Sequence, residues 1–175
     1  RMFPVNYAVA MPDAAAKPER LLVISQVYPP EPAAVGQYMA EVAEAMADRG
    51  CDVTVLATDR GFDDPTLKFE KQPTRNGVRV VRMPWSHFGK KSIFIRLLGS
   101  LAFVLQAIVR GLLMKRPDAI LVSTSPPIAS LTALAISRFR GRSPICFWSM
   151  DINPEQAVAM GKAAPGRPFR RACLN

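Results

Sequence analysis

Three short segments of the chain combine residue types that could bind and activate a sugar or a phosphate. Residues 27–36 are rich in proline and end at Gly36, residues 123–127 read Ser-Thr-Ser-Pro-Pro, and residues 151–155 contain two carboxylates. A glycine at the start of a helix lets a ligand approach backbone N–H groups that suit a phosphate. Hydroxyls hold polar ligands, and a carboxylate can orient or deprotonate a sugar hydroxyl. If these segments meet in the fold, they predict a polar binding site.

Each segment also has a purely structural interpretation. Gly36 can simply permit a tight turn, and the hydroxyls of residues 123–125 can cap the helix that follows them. Asp151 and Asn153 stand before Pro154, where such residues are typical of turns and caps. The residues alone therefore leave both interpretations open for all three segments.

Each segment follows an apolar run that is typical of a buried strand. Runs of this kind lie at residues 21–26, 53–58, 77–83, 119–124 and 144–149. Helical spacing of apolar residues occurs at 37–49, which Gly50 follows as a C-cap signal, at 93–115, and at 128–140, which has Leu131, Leu134, Ala135 and Phe139 on one face. Residues 59–76 are polar and contain two prolines, so they predict a loop. Strands that alternate with helices and are apolar on both faces predict an α/β domain with a parallel sheet and helices on both of its faces. In such sheets ligands bind at the carboxyl ends of the strands, where the three segments lie.

Several classes of function lack their sequence signals. No Gly-x-Gly-x-x-Gly follows the first predicted strand, and no phosphate-binding loop with Lys-Ser or Lys-Thr is present. These absences argue against a nicotinamide dehydrogenase and a nucleoside triphosphatase. Cys51, Cys146 and Cys173 are widely and irregularly spaced, so we expect reduced thiols. The single histidine, His87, falls in a predicted loop, and no metal site is expected.

The net charge of +9 is unevenly distributed along the chain. Residues 1–60 contain five basic and eight acidic side chains, whereas residues 61–175 contain eighteen and six. A surface with this excess attracts nucleic acid, anionic lipid or phosphorylated substrates. A solvated basic face without a specific partner explains the same numbers.

The second apolar helix-like run, 93–115, contains thirteen consecutive uncharged residues, 97–109, which are too few to span a bilayer. Three interpretations stay open: a buried crossover helix, a helix at the membrane surface and a true span. Cations flank the run, and among them Lys90, Lys91 and Arg96 are predicted to face an anionic membrane if the helix is exposed.

The two ends of the chain differ in character from its centre. Residues 1–18 mix prolines and charges and lack the apolar core of a signal peptide, so we expect a poorly ordered leader. The domain is predicted to cover residues 19–175.

Taken in order, the motifs of this chain resemble the amino-terminal half of GT-B-fold glycosyltransferases of the GT4 type, especially bacterial enzymes that extend capsule, exopolysaccharide or O-antigen. The resemblance covers residues 21–175 and lies in the order and spacing of its motifs. The first motifs are residues 28–32 (Tyr-Pro-Pro-Glu-Pro), Gly36 before a helix, and residues 50–56 at the start of a strand. The later motifs are the segments 77–80 and 82–84, Arg116-Pro117-Asp118, residues 124–127, and residues 151–155 before 157–161.

The resemblance implies a Rossmann-like sheet that forms one half of a GT-B fold, and it implies roles for individual residues. Gly36 would approach the diphosphate of a nucleotide-sugar, which is a co-substrate. Tyr28, Ser125 and Asp151 would line the acceptor side, with Asp151 in contact with the reacting hydroxyl as the catalytic residue. Glu155 would also lie on the acceptor side and would support that loop. No metal or other cofactor is implied.

The resemblance further implies a retaining transferase at the inner face of the plasma membrane that extends a polyprenyl-diphosphate-linked sugar. The donor-binding half would follow the present end, so this chain by itself is expected to lack transferase activity. Two alternatives remain. One is a membrane-anchoring half that recruits a separate catalytic subunit. The other is a nucleic-acid-binding α/β domain, for which no basic-aromatic motif is present.

Overall fold

The computed structural model describes residues 18–61, 64, 66–69, 74–84, 93–126 and 128–149. The predicted site residues Asp151 and Glu155 and the predicted membrane-facing residues Lys90 and Lys91 lie outside the described residues. Every strand and helix that the apolar patterns predict is present, with ends that differ by up to three residues. The elements are β1 (Arg20–Ile24), α1 (Ala34–Asp48), β2 (Asp52–Thr58), β3 (Arg79–Met83), α2 (Ile93–Leu113), β4 (Ala119–Ser123), α3 (Ala129–Phe139) and β5 (Ile145–Trp148).

The five strands form one parallel sheet in the order β3-β2-β1-β4-β5. β1 lies at its centre and pairs with β2 on one side and with β4 on the other. Leu22, for example, is in register with Thr54 and with Ile120. The chain therefore moves outward from β1 to β3, and α2 then carries it back across the sheet to β4. This arrangement is an α/β Rossmann-like fold, as predicted.

Alternate residues of the strands point to opposite faces of the sheet and build two separate cores. On one face, Leu21 and Val23 of β1 pack with Met39 and Ala43 of α1. On the other face, the core residues from β1, α2 and α3 are Leu22, Ile24, Phe103, Val104, Ala107, Ala129, Ala133 and Ile136. Helices therefore cover both faces, which explains why β1 is apolar from Leu21 to Ile24 and β4 from Ala119 to Val122.

The end of α1 follows the predicted C-cap signal. Gly50 has a φ of +83°, which is the left-handed conformation that glycine adopts without steric cost. Its N–H donates to the carbonyl of Ala47, and the N–H of Cys51 donates to that of Met46. This pair of bonds is the Schellman motif, and it turns the chain into β2 within two residues.

The connection between β2 and β3 contains no helix among its described residues. It contains two isolated antiparallel bridges, Arg60 with Lys68 and Arg75 with Val78. The predicted loop is thus confirmed for the described part of residues 59–76.

α3 packs through a different face from the one that carries its largest apolar side chains. Ala129, Ala133 and Ile136 are buried against the sheet, whereas Leu131 and Leu134 are 55% and 60% exposed. Small residues on the buried face allow α3 to approach the sheet and α2 closely. The face with the predicted apolar stripe therefore points to solvent.

α2 is a crossover helix with one buried and one exposed side. Phe103, Val104 and Ala107 are buried in the core. By length and composition alone, residues Phe94–Leu113 of this helix could also cross a membrane. The buried side of α2 packs on the sheet, and the helix connects β3 to β4 along the chain. α2 is therefore part of the domain.

The closest contact between α2 and α3 predicts a measurable coupling. A Cβ atom at Gly111 would lie 2.2 Å from Cδ1 and 2.8 Å from Cγ1 of Ile136, whose side chain is fully buried. We expect Gly111→Ala to lower the free energy of unfolding by about 1–2 kcal/mol, because overpacking outweighs the gain from replacing glycine in a helix. Urea unfolding followed by circular dichroism measures this change.

The second half of this double-mutant cycle is Ile136→Val, which removes the Cδ1 atom. Alone it should cost about 1 kcal/mol through the lost methyl group. In the Gly111→Ala background it should cost less, or should stabilise, because it relieves the clash. An equal cost in both backgrounds would contradict the close contact.

Candidate functional site

The carboxyl ends of the three central strands are joined by backbone hydrogen bonds. The N–H of Gln26, after β1, donates to the carbonyl of Ser125, after β4, at 2.8 Å. The N–H of Thr58, at the end of β2, donates to the carbonyl of Gln26 at 3.0 Å. Residues 27–36 and 123–126 therefore meet at one edge of the sheet, at the point where the strand order reverses.

Buried serines hold these two loops in place. The Ser25 hydroxyl donates to the carbonyl of Val27 at 2.8 Å, and the Ser123 hydroxyl lies 3.0 Å from Ser25 Oγ. The N–H of Ser125 donates to Ser123 Oγ at 3.3 Å. Both Ser25 and Ser123 are fully buried, so their hydroxyls determine the shape of the edge and do not face a ligand.

The predicted capping of α3 by the 123–125 hydroxyls is wrong for the described residues. The N-cap of α3 is Ile128, and it receives no side-chain hydrogen bond. Ser123 bonds within the loop network, as described above. Ser125 is partly exposed at the edge, where its hydroxyl can meet a ligand. The Thr124 hydroxyl is buried and has no partner among the described residues.

Gly36 lies in the first turn of α1, two residues after the helix begins. It is buried, and a Cβ atom there would lie 3.2 Å from the N and Cα atoms of Tyr28 and from the carbonyl carbon of Val27. All three neighbours are backbone atoms, which cannot rotate away. The absence of a side chain at Gly36 therefore lets the helix pack directly against the loop that precedes it.

The first turn of α1 contains neither a side-chain cap nor an acidic residue. The N-cap of the helix is Ala33. Free N–H groups and the helix dipole together favour an anion such as a phosphate. The role of Gly36 near a diphosphate stays a prediction.

Tyr28 is a core residue in this structure. Its side chain is fully buried with the α1 core, and its hydroxyl has no partner among the described residues. Burial raises the pKa of Tyr28 to about 12, and the nearby Glu44 carboxylate adds to the rise. A contact between this ring and an acceptor would require the loop to open, so the acceptor role of Tyr28 stays a prediction.

A buried arginine on β3 clamps the same loop. The guanidinium of Arg82 donates to the carbonyls of Pro29, of Thr58 at 3.0 Å and of Tyr28 at 3.5 Å. It also lies 5.2 Å from the centre of the Phe69 ring, within the range of a cation–π contact. Arg82 thus connects the loop after β1 to the ends of β2 and β3.

The charge of Arg82 is stabilised mainly by carbonyl dipoles. Arg82 is 8% exposed and forms no ion pair in the part of the chain that the structure describes. Burial lowers the pKa of its guanidinium, while the negative charge of the buried Asp59 acts in the opposite direction. The sequence signal for this residue is one of two arginines in a mostly apolar strand, the other being Arg79, and the sequence alone assigned Arg82 no role.

A cavity at the opposite, amino edge of the sheet lies away from these loops. Its charged lining residues include Arg20, Asp52 and Arg79. Arg79 lies 3.4 Å from Asp52, and Arg20 lies 3.7 Å from Asp118, so these groups form surface ion pairs. None of the predicted site residues lines this cavity.

Comparison with known proteins identifies a family for this chain. A family model described as "Glycosyl transferase 4-like domain" matches residues 33–175. No curated protein and no solved structure matches the chain. The family match begins at the N-cap of α1 and includes Gly36, Arg82, Ser125 and residues 151–155. The chain therefore belongs to the glycosyl transferase 4-like domain family.

Proposed function

We propose that this chain is the acceptor-binding half of a retaining, metal-independent glycosyltransferase of cell-surface polysaccharide synthesis. The enzyme transfers a sugar from a nucleotide-sugar to a glycan acceptor that is carried on a lipid. The observation that carries the proposal is the junction of the 27–36 and 123–126 loops through the Gln26–Ser125 bond, in a chain of this family. This junction supports a shared site at the edge of the sheet where α/β proteins bind ligands.

On the donor side, the amino end of α1 approaches the diphosphate of the nucleotide-sugar. The support is local: Gly36 packs without a side chain, and the first turn of α1, which lies within the described residues, contains no acidic residue and no side-chain cap. A second domain that follows this chain holds the rest of the donor.

On the acceptor side, Ser125 contacts the acceptor, and Asp151 contacts the reacting hydroxyl as the catalytic residue. Glu155 supports the loop of Asp151, and Tyr28 lines the site if its loop opens. The support for Ser125 is its partly exposed place at the edge. Asp151 and Glu155 are proposed on the family resemblance, since they lie outside the described residues. A reading frame that continues beyond Asn175 into a second α/β domain supports this proposal, whereas a stop codon there supports a half that recruits a separate catalytic subunit.

Gly36 provides the first test, in the product of the complete reading frame. We expect Gly36→Ala to lower kcat/KM for the nucleotide-sugar by about tenfold or more, because a displacement of even 1 Å near a reacting centre is costly. The displaced part is the backbone of Val27 and Tyr28, which the new Cβ atom contacts. Sugar transfer from a radiolabelled donor measures this effect.

Gln37 is the matched control for Gly36, since it is the next residue of α1 and is exposed. Gln37→Ala should leave kcat/KM nearly unchanged. Equal activities of the two variants would show that the packing at Gly36 does not shape the donor site.

The clamp by Arg82 provides a second test, in the chain itself. We expect both Arg82→Met and Arg82→Lys to lower the free energy of unfolding by about 1–3 kcal/mol, because buried carbonyls lose their donors and lysine lacks the planar fork. Backbone hydrogen exchange should also rise in residues 26–33. Arg79→Met on the same strand is the control, since the Arg79 side chain is 57% exposed and should change stability by less than about 0.5 kcal/mol. Equal effects of Arg82→Met and Arg79→Met would contradict the clamp.

We also propose that the enzyme works at the inner face of the plasma membrane, where Lys90, Lys91 and Arg96 meet anionic lipid. The support is the charge pattern: the segment between Glu70 and Asp118 contains ten basic residues and no acidic residue. Arg96 is exposed in the first turns of α2. The two lysines are proposed from the sequence.

Removal of these three charges tests the membrane contact. Each basic residue near an anionic surface contributes about 1 kcal/mol, so the triple variant Lys90→Gln, Lys91→Gln, Arg96→Gln should bind phosphatidylglycerol vesicles far more weakly. Vesicle sedimentation measures the bound fraction. The control removes three exposed charges elsewhere: Arg49→Gln, Lys68→Gln and Arg79→Gln. Unchanged binding of the first variant would exclude these residues as the contact.

A further inference from the structure

The side of α2 that faces away from the sheet consists of large apolar side chains. Each of the following is between 46% and 79% exposed: Phe94, Leu97, Leu98, Leu101, Leu105, Val109 and Leu113. No charged residue interrupts the helix between Arg96 and Arg110. Soluble monomers rarely expose contiguous apolar patches of more than a few hundred Å², so a surface of this kind marks an interaction site.

α3 extends this surface sideways. Leu131, Leu134 and Phe139 are 55%, 60% and 72% exposed. α2 and α3 contribute to the same core on the same face of the sheet, and Gly111 meets Ile136 between them. Their outer sides therefore point in the same direction. We call the ten outward side chains of the two helices the α2–α3 surface.

The uncharged polar side chains of α2, Ser100 and Gln106, turn back onto their own helix. The Ser100 hydroxyl donates to the carbonyl of Arg96 at 3.0 Å, and the Gln106 amide donates to the carbonyl of Ala102 at 3.2 Å. Both groups satisfy their hydrogen bonds locally, as polar groups do in an apolar environment. Protein–protein interfaces usually contain about one hydrogen bond per 100–200 Å² of interface. The outward apolar side chains of α2 have no hydrogen-bonding groups.

Charges lie at the ends of α2 and not within its apolar face. Arg96 lies nine residues from Leu105, and Arg110 lies nine residues from Leu101. Nine residues make two and a half helical turns. Arg96 and Leu105 therefore lie on opposite sides of α2, and so do Arg110 and Leu101. Both arginines are nevertheless exposed, and arginine stems are long enough to reach the rim of the surface.

The sign of the charge around the surface points to an anionic partner. Residues 93–117 and 128–144, which contain α2, α3 and the turns that follow them, have seven basic residues and no acidic one, and Asp118 directly follows the first range. The Asp118 carboxylate accepts a hydrogen bond from the backbone N–H of Arg20, and the Asp118 side chain is only partly exposed. An apolar plane in so basic a region is complementary to a lipid surface with negative head groups.

We propose that the α2–α3 surface rests on a membrane that contains anionic lipid, with its leucine and phenylalanine side chains among the upper acyl chains. α2 does not span this membrane, because Phe103, Val104 and Ala107 stay packed in the core. The inference deepens the proposed function by naming the surface that brings the enzyme to its acceptor, and it rests on that function only for the identity of the acceptor.

The test uses the whole chain and vesicles of phosphatidylcholine with and without phosphatidylglycerol, without donor or acceptor. The double variant Leu101→Glu, Leu105→Glu should lower the partition coefficient by about tenfold or more, because two leucines that insert into the bilayer are replaced by charged residues. Leu131→Glu, Leu134→Glu should lower it similarly if α3 belongs to the surface. All four positions are at least 46% exposed, so the fold should survive, and circular dichroism with urea unfolding checks this.

The matched control is Tyr38→Glu, Leu67→Glu. These residues are 46% and 54% exposed, lie on α1 and in the connection from β2 to β3, and change the net charge by the same amount. The control should bind vesicles like the unmodified chain. Equal losses in the control and the α2 variant would overturn the assignment to this surface, since charge alone would then explain them.

Two further outcomes overturn the proposal. One is an unmodified chain that fails to bind either kind of vesicle. The other is a chain that is dimeric in ultracentrifugation and becomes monomeric in the α2 variant without any vesicle binding, since a second copy would then be the occupant. Because binding is measured without sugar transfer, an inactive enzyme that still binds vesicles would contradict the proposed function and leave this inference supported.

Discussion

The hydrogen bonding of β1 on both of its sides is the constraint on which the rest of the structure depends. β1 pairs with β2 and with β4 over four or more residues, and as the central strand it is covered by helices on both faces, so its residues from Leu21 to Ile24 are apolar. The same pairing places the chain that leaves β1 beside the chain that leaves β4. Without a central β1, the proline-rich loop and the serine loop would lie at different edges and could not form one site.

The shape of that site is held by backbone groups more than by the residues expected to contact ligands. Arg82 donates to carbonyls from two different connections, and buried Ser25 and Ser123 hold the loops from below. Gly36 adds a steric condition, because the helix can approach the loop only without a side chain. Such a scaffold is organised before a ligand arrives, which is what precise positioning of a reacting group requires.

The sequence predicted the elements well because apolar runs report burial directly. In a parallel sheet the strands are covered on both faces, so continuous runs such as 21–26 and 119–124 can hardly be anything else. The site was less predictable. The sequence does not distinguish Arg82 from the exposed Arg79 of the same strand, and only the three-dimensional pairing of β3 with β2 places Arg82 against the loop. Tyr28 has an amphipathic side chain, and nothing in its sequence position indicates that it points into the α1 core. On α3 the apolar stripe was visible, but spacing does not indicate whether the large or the small residues face the sheet.

The direction of the helices has a consequence for how an acceptor would arrive. In a parallel sheet, α2 and α3 run from the carboxyl edge to the amino edge, alongside the strands. If their outer side lies flat on a bilayer, the strands lie parallel to it as well, and the edge with Ser125 opens sideways along the lipid head groups. An acceptor anchored in that bilayer would then reach the enzyme by lateral diffusion in two dimensions. It would never need to leave the lipid, and its encounter rate would depend on its density in the leaflet.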